Sequence, residues 1–238
     1  MKRLLTVASF TLLAFVLVAC QGVRGNGTVT TESYEVTGFD RISLAGIGDL
    51  EITVGETEAL SITTDDNLFQ YLDASVNDTT LTIRLQDGIM IQNVTELTYA
   101  VTVTDLEAID LSGAGTIDAE SLTGDSLEID ISGAGEATLS DLEFDSLSIE
   151  ISGAGEATLS GSATDFDVDI SGAGAINGYD FDTTSANIEI SGAGEANVRV
   201  SETLTGDLSG AASINYRGEP AVDVDTSGVS SVNRNNGQ

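Results

Sequence analysis

One phrase, Ser-Gly-Ala-Gly, recurs down the chain, beginning at Ser112, Ser132, Ser152, Ser171 and Ser191. Two weaker echoes follow, Ser209-Gly210-Ala211-Ala212 and Ser227-Gly228-Val229-Ser230. Successive starts lie 20, 20, 19, 20, 18 and 18 residues apart. A period near 20 is the signature of a solenoid or stacked β array, because each unit is too small to bury its own apolar face.

One unit, Ser126 to Asp145, shows how a coil is built. Ser126-Leu-Glu-Ile-Asp-Ile-Ser132 alternates apolar and polar residues, the pattern of a half-buried strand. Gly133-Ala134-Gly135 reads as a corner, since glycine admits positive φ and close backbone approach. Glu136 to Ser140 alternates again, and Asp141 to Asp145 turns the chain back, with Phe144 placed to cover the core edge.

Aligned units give apolar columns. One reads Ile109, Ile129, Ile149, Val168, Ile188, Gly206, Val224, and a second Leu111, Ile131, Ile151, Ile170, Ile190, Leu208, Thr226. A third, beyond the corner, reads Ile117, Ala137, Ala157, Ile176, Ala196, Ile214, Val232. Like residues stacked every ~4.8 Å describe a parallel β-solenoid. The competing arrangement, a meander of hairpins, would more often use two-residue Asn-Gly or Asp-Gly turns. The fold class predicted is all-β, a right-handed parallel β-helix or solenoid with repeats of about 18–20 residues.

From Gly38 to Thr104 the strand chemistry continues without a strict period. Arg41-Ile-Ser-Leu-Ala-Gly-Ile-Gly48 reads as a degenerate first corner, and Asp65 to Leu72 as a short helical turn capped by Asp or Asn. Terminal units of solenoids are atypical because they close an open core, so one continuous structure is expected.

The amino terminus reads as an export signal over residues 1–19. Lys2 and Arg3 precede a mostly apolar stretch, Leu4 to Val18, that is short for a membrane span. Leu17-Val18-Ala19-Cys20 resembles the bacterial lipobox, and that resemblance implies cleavage before Cys20 and its lipidation. The alternative is an ordinary secretory signal ending near Ala19. Cys20 is the only cysteine, so there is no disulfide framework. Several acyl chains would hold the protein stably at a membrane, outside the cytoplasm. Residues 20–33 are polar and Gly-containing and read as a flexible, lipid-anchored tether. A single domain is expected over 34–238, its core at about 39–232. Gln21 supplies no Asp retention signal, which points to the outer membrane, or to the cell surface in a one-membrane host.

The opening Phe39-Asp-Arg-Ile-Ser-Leu-Ala-Gly-Ile-Gly-Asp-Leu-Glu-Ile-Thr-Val54 resembles the head GIN domain of auto-transporter adhesins. So do the serial Ile-Ser-Gly-Ala-Gly strands and the closing Leu208-Ser-Gly-Ala-Ala-Ser-Ile-Asn-Tyr-Arg-Gly218. The resemblance spans about Phe39 to Val232. It implies a β-helix-like fold on an exported bacterial protein, often a lipoprotein, and supplies no catalytic residue.

Charge is extreme, 8 basic against 39 acidic residues, a net −31. Such a surface repels nucleic acid and attracts cations or basic partners. One outward column is wholly acidic: Asp110, Asp130, Glu150, Asp169, Glu189, Asp207 and Asp225. Carboxylates one rung apart repel by about 1 kcal/mol per pair. High salt, partial protonation or weakly bound Ca²⁺ would relieve them, although a flat face surrounds an ion poorly. The Gly-Gly-x-Gly-x-Asp repeat of calcium-binding β-rolls is missing. A second outward column, Asp118, Thr138, Thr158, Asn177, Asn197, Asn215 and Asn233, reads as a hydrogen-bonding ladder. The five tyrosines share no column, which disfavours a long aromatic strip for sugars.

Without a histidine, Ser-His-Asp and Cys-His catalysis is excluded. Thiolate and imidazole zinc ligands are missing too. A phosphate loop or dinucleotide fingerprint is not found. No cofactor is implied beyond the weak Ca²⁺. The reading is a non-enzymatic, lipid-anchored surface-binding module or adhesin, with the membrane and a surface glycan or envelope protein as partners. A structural or sensory envelope module is the alternative, and an enzyme acting on acidic polysaccharide is the third.

Overall fold

Stacking starts from the repeat itself. In the structure, a computed structural model that describes residues 21–236, each Ser-Gly from Ser112 to Ser191 pairs with the Ser-Gly one repeat on. The leader and Cys20 lie outside the described residues. The architecture is a β-solenoid of about 6 turns.

The amino-terminal part runs through β1 (Gln21–Arg24), β2 (Val29–Tyr34), β3 (Arg41–Val54), β4 (Ala59–Asp65), β5 (Leu72–Asn77), β6 (Thr80–Leu85), β7 (Ile89–Gln92) and β8 (Leu97–Val103). The repeats follow as β9 (Ala108–Glu120), β10 (Thr123–Gly133), β11 (Glu136–Gly153), β12 (Glu156–Gly172), β13 (Ala175–Gly192) and β14 (Glu195–Gly210). The last turn is β15 (Ser213–Arg217), β16 (Ala221–Thr226) and β17 (Ser231–Arg234). All neighbours from β9 onward pair in parallel.

The three apolar columns are rungs. Ile129 pairs with Ile109 and Ile149, Ile131 with Leu111 and Ile151, and Ala137 with Ile117 and Ala157. Ile129, Ile131, Ala137, Ile149 and Ile151 are at most 1% exposed. Phe166 and Phe181 meet edge to face inside the stack, centroids 5.4 Å apart, a favoured quadrupole geometry. The core is one continuous cluster from Val36 to Ile214.

The repeat's two glycines have separate duties. The first has positive φ, +123° at Gly133 and +137° at Gly153. A β-carbon at Gly153 would lie 2.3 Å from the carbonyl oxygen of Gly133. The second points inward, where a β-carbon at Gly155 would lie 2.8 Å from Cγ2 of Ile131. The corner's amides are spent on the ladder as well: Ala154 N–H donates to Gly133 O at 2.8 Å.

The aperiodic region has a topological cause. On one side β3 pairs in register with β9, Leu44 against Leu111 and Leu50 against Ile117. On the other it pairs with β6 and β8, Ile42 against Leu81 and Leu50 against Tyr99. Residues 55–107 therefore leave β3, build a terminal coil outside it and return to begin β9. Antiparallel strands close that end: β5 on β6, β4 on β8 and β2 on β4. These antiparallel strands cover the open core at this end and leave the short β2 as an edge of the sheet.

Two expectations are corrected here. Residues 21–33 are not a free tether, because β1 pairs with β7 in parallel and β2 with β4. The folded unit therefore includes residues 21–24 and 29–34, ahead of the boundary expected at residue 34. The pairing is pinned by Asp65, which is fully buried. Its carboxylate accepts the Gly27 N–H, the Thr95 N–H at 2.8 Å and the Thr95 hydroxyl at 3.0 Å. Those donors also explain the second correction. The helical turn is a single 3-10 turn, Phe69–Tyr71, that starts from Leu68 without a side-chain cap. Asp65 is engaged elsewhere, and Asn67 donates to the Arg24 carbonyl at 2.8 Å.

Candidate functional site

Three features of the surface present chemistry. The acidic column is aligned one rung per residue, Asp110 to Asp130 to Glu150 to Asp169 to Glu189 to Asp207 to Asp225. All but Asp130 are exposed. Burial, then the charges of Glu128, Glu150 and Asp110, push the Asp130 carboxyl above its ordinary value. Beyond Asp110 the rung partner is Ser43, whose hydroxyl reaches Asp110 at 3.5 Å. Among the described residues no three carboxylates converge closely enough to hold a metal ion.

The amide column forms the ladder its pattern foretold. Asn197 donates to Asn177 Oδ1 at 3.2 Å, Asn215 to Asn197 Oδ1 at 3.0 Å and Asn233 to Asn215 Oδ1 at 3.3 Å. Glu156 and Glu195 accept from Asn177 and Asn197 at 2.6 and 3.0 Å. These side chains are occupied by one another.

The third feature is a cleft of about 1070 Å³ that runs across the coils. Each coil bends between its second strand and the first strand of the next coil, and the bends stack. In β11 the bend begins at Asp141, φ +54°. Where β12 bends, Gly161 has φ +120°. The register then aligns Gly124, Phe144, Ala163, Thr183 and Val200 as a floor. Phe144, Ala163, Thr183 and Val200 are at most 6% exposed. One flank carries Thr123, Glu143, Ser162, Asp182 and Arg199, and the other Asp125, Asp145, Thr164, Thr184 and Ser201. From β10 to Glu219 the cleft crosses six chain segments, or about 24 Å at the usual rung spacing.

The electrostatics of the cleft are one-sided. Asp125, Glu143, Asp145, Asp182 and Glu219 line it beside one cation, Arg199. That guanidinium is held by Asp182 at 3.3 Å and Asp180 at 3.9 Å. Outside the cleft lining, Arg217 lies 4.0 Å above the Tyr179 ring, a cation–π contact, and Asn235 donates to the Tyr179 hydroxyl at 3.1 Å. The cleft is elongated, floored by apolar atoms and edged with hydroxyls and carboxylates, so it can receive an extended polar chain.

The sequence columns do not include this cleft. Its residues lie where repeat lengths vary and the register slips, between Leu139 and Leu142 and between Thr158 and Ser160. The signal available was the recurring hydroxyl at Thr123, Ser162 and Thr164. Of the tyrosines, Tyr99 belongs to the core at 1% exposure, its hydroxyl donating to Ile47 O at 3.3 Å.

A family profile described as "Putative auto-transporter adhesin, head GIN domain" matches residues 38–220. The chain belongs to the head GIN domain family. Solved structures share the head GIN architecture seen here. A "putative adhesin" from Bacteroides fragilis superposes with a TM-score of 0.85 at 23% identity, covering 89% of this chain and 99% of that one. A "putative lipid binding protein" from Parabacteroides distasonis gives 0.76 at 24% identity, with 90% and 99% coverage. A "putative adhesin" from the same species gives 0.71 at 23% identity, with 90% and 100% coverage. Such identities establish a shared fold. No curated protein matches the chain. The family and these neighbours bear adhesin-like or lipid-binding names rather than enzyme names.

Proposed function

We propose that this head GIN domain is a non-enzymatic binding module displayed outside the cytoplasm, at the outer membrane or cell surface. A lipid on Cys20 anchors it, and the cleft is its ligand site. The carrying observation is the alignment of hydroxyls and carboxylates over a buried floor across successive coils. Repetition along the stack suits a ligand that also repeats, and a glycan chain offers hydroxyls to both flanks. Neutral or amino-bearing glycans fit the local charge, whereas acidic polysaccharide and nucleic acid are repelled. The adhesin description of the family supports this reading.

The test is a glycan array probed with the soluble chain, residues 21–238. Binding should be abolished by Thr164→Arg with Thr184→Arg, which obstruct the cleft from its flank without touching the core. Glu150→Gln, on the acidic column, should leave binding intact. If no glycan binds, or if the arginine pair binds as well as the parent, the cleft is not an adhesive site.

A second reading, an envelope module that binds a protein, is favoured by the last coil. There Val222 and Val229 are 43% and 85% exposed. Co-purification of a single envelope protein, lost on Val229→Asp, would favour it over glycan adhesion.

A further inference from the structure

We propose that the small β1–β7 sheet is a membrane-contacting face that seats the solenoid directly on the lipid surface. This inference rests on the lipidation of Cys20 proposed above. It departs from the loose tether that residues 20–33 suggest in sequence.

The geometry begins with the pairing of Gln21 with Ile89, Gly22 with Met90, Val23 with Ile91 and Arg24 with Gln92. Residue 20 is bonded to Gln21, and consecutive Cα atoms lie about 3.8 Å apart. An acyl group on Cys20 therefore starts one residue from a strand already fixed to the fold. No slack separates the anchor from the domain.

The sheet has two unlike faces. Val23 and Ile91 turn inward, Ile91 being 9% exposed within the core cluster and Val23 packed against it. Paired residues of a parallel ladder share a face, so Gly22, Met90, Arg24 and Gln92 turn outward together. Met90 is 51% exposed, one of few large apolar side chains so placed.

Charge singles out the same place. The chain carries 39 acidic residues, yet residues 21–31 and 88–95 contain none. Asp87 and Glu96 bound the second stretch, and Asp87 is within 3.9 Å of Arg84. Neither strand of the face carries an acid, and the adjoining Asp65 and Asp66 carboxylates are engaged by Gly27, Thr95 and Asn26. A flexible thioether and one arginine on such strands are what anionic headgroups tolerate. The carboxylate columns elsewhere on the coils are repelled by the same headgroups. Attraction and repulsion together orient the molecule, with the β1–β7 end down and the last coil, β16 and β17, away.

The experiment uses the full acylated chain in vesicles of phosphatidylethanolamine and phosphatidylglycerol containing doxyl-labelled phosphatidylcholine. Because Cys20 is the only natural cysteine, Met90→Cys and, separately, Val229→Cys each introduce one thiol for an environment-sensitive fluorophore. The probe at 90 should shift to the blue and be strongly quenched by doxyl lipid, and that at 229 should not respond. Inserting a flexible Gly-Ser segment between Cys20 and Gln21 should reduce the quenching at 90. Equal, weak quenching at 90 and 229, with mass spectrometry showing acylated Cys20, overturns the seated face and leaves the anchor standing. Absence of the acyl mass overturns the anchor and the seated face together.

Discussion

Gly133 stacks on Gly113 so closely that a β-carbon on Gly133 would lie 2.3 Å from the Gly113 carbonyl oxygen. The same residue has φ +123°, a conformation that side chains other than hydrogen rarely adopt. Gly133→Ala combines backbone strain with a clash against main chain. It should destabilise the fold by about 3 kcal/mol or more. Ala134→Ser, at the exposed tip of the same corner, should stay within about 0.5 kcal/mol. Urea midpoints for the two variants test the claim, and equal midpoints refute it.

The amide ladder should contribute measurably. Asn197 donates to Asn177 and Glu195 and accepts from Asn215. Asn197→Ala should lower stability by about 1 kcal/mol, because the ladder is partly exposed and water replaces what is lost. Asn197→Thr should recover part of that loss, since Thr138 and Thr158 hold the same column and β-branched residues suit a strand. Thermal denaturation of the three proteins provides the comparison, and a threonine variant weaker than the alanine variant contradicts it.

The acidic column predicts an inverted pH response. Burial and neighbouring carboxylates raise the Asp130 pKa in the fold. The native state then holds its proton more tightly than the unfolded chain, so this site favours folding more as pH falls. Asp130→Asn should stabilise the protein at neutral pH by a few tenths to about 1 kcal/mol, a modest amount because the group is only partly buried and solvent screens it. The gain should vanish below the carboxylate range near pH 4. NaCl should also stabilise the parent. Because no three carboxylates converge among the described residues, Ca²⁺ at matched ionic strength should add little. A large Ca²⁺-specific rise in Tm would instead establish an ordered site on the column.

Asp65 predicts the opposite sign, and locally. Hydrogen bonds from the Thr95 amide hold its carboxyl below the ordinary value, with further donation from Gly27 and the Thr95 hydroxyl. Its contribution is therefore present above the unfolded pKa and lost as pH falls through the lower, folded one. Amides of residues 22–34 should exchange faster as pH falls through that acidic window, after correction for intrinsic rates. Asp65→Asn should exchange faster already at neutral pH, with the repeats protected as before. Unchanged protection of β2 in the variant would show that Asp65 does not pin this end.

Much of the solenoid was legible because its columns repeat. Ile129, Ile131 and Ala137 fall on the predicted rungs, and the Gly133 corner is scaffold, its carbonyl accepting the Ala154 amide. The cap was illegible for a spatial reason. β3 pairs with β9 across the intervening residues 55–107, so chain order and spatial order diverge there. The N-terminal strands were missed because Asp65, far along the chain, supplies the charge that secures Gly27. The cleft lay beyond periodic reading because it forms where the period slips, around Ser140 to Leu142.

Arg199 offers a test of the charge preference proposed for the cleft. It is the lone cation among the lining residues, and Asp182 and Asp180 hold it. Its side chain is 39% exposed, so these ion pairs are solvated and contribute little to folding. Arg199→Gln should leave the urea midpoint nearly unchanged while making the cleft wholly anionic. An amino-bearing glycan should then bind more tightly at low salt, by severalfold, and the advantage should shrink as salt screens it. A neutral glycan should bind as before. Titration calorimetry of both ligands at two salt concentrations separates the effects. If the arginine instead contacts ligand hydroxyls directly, both glycans weaken alike and the salt dependence stays that of the parent.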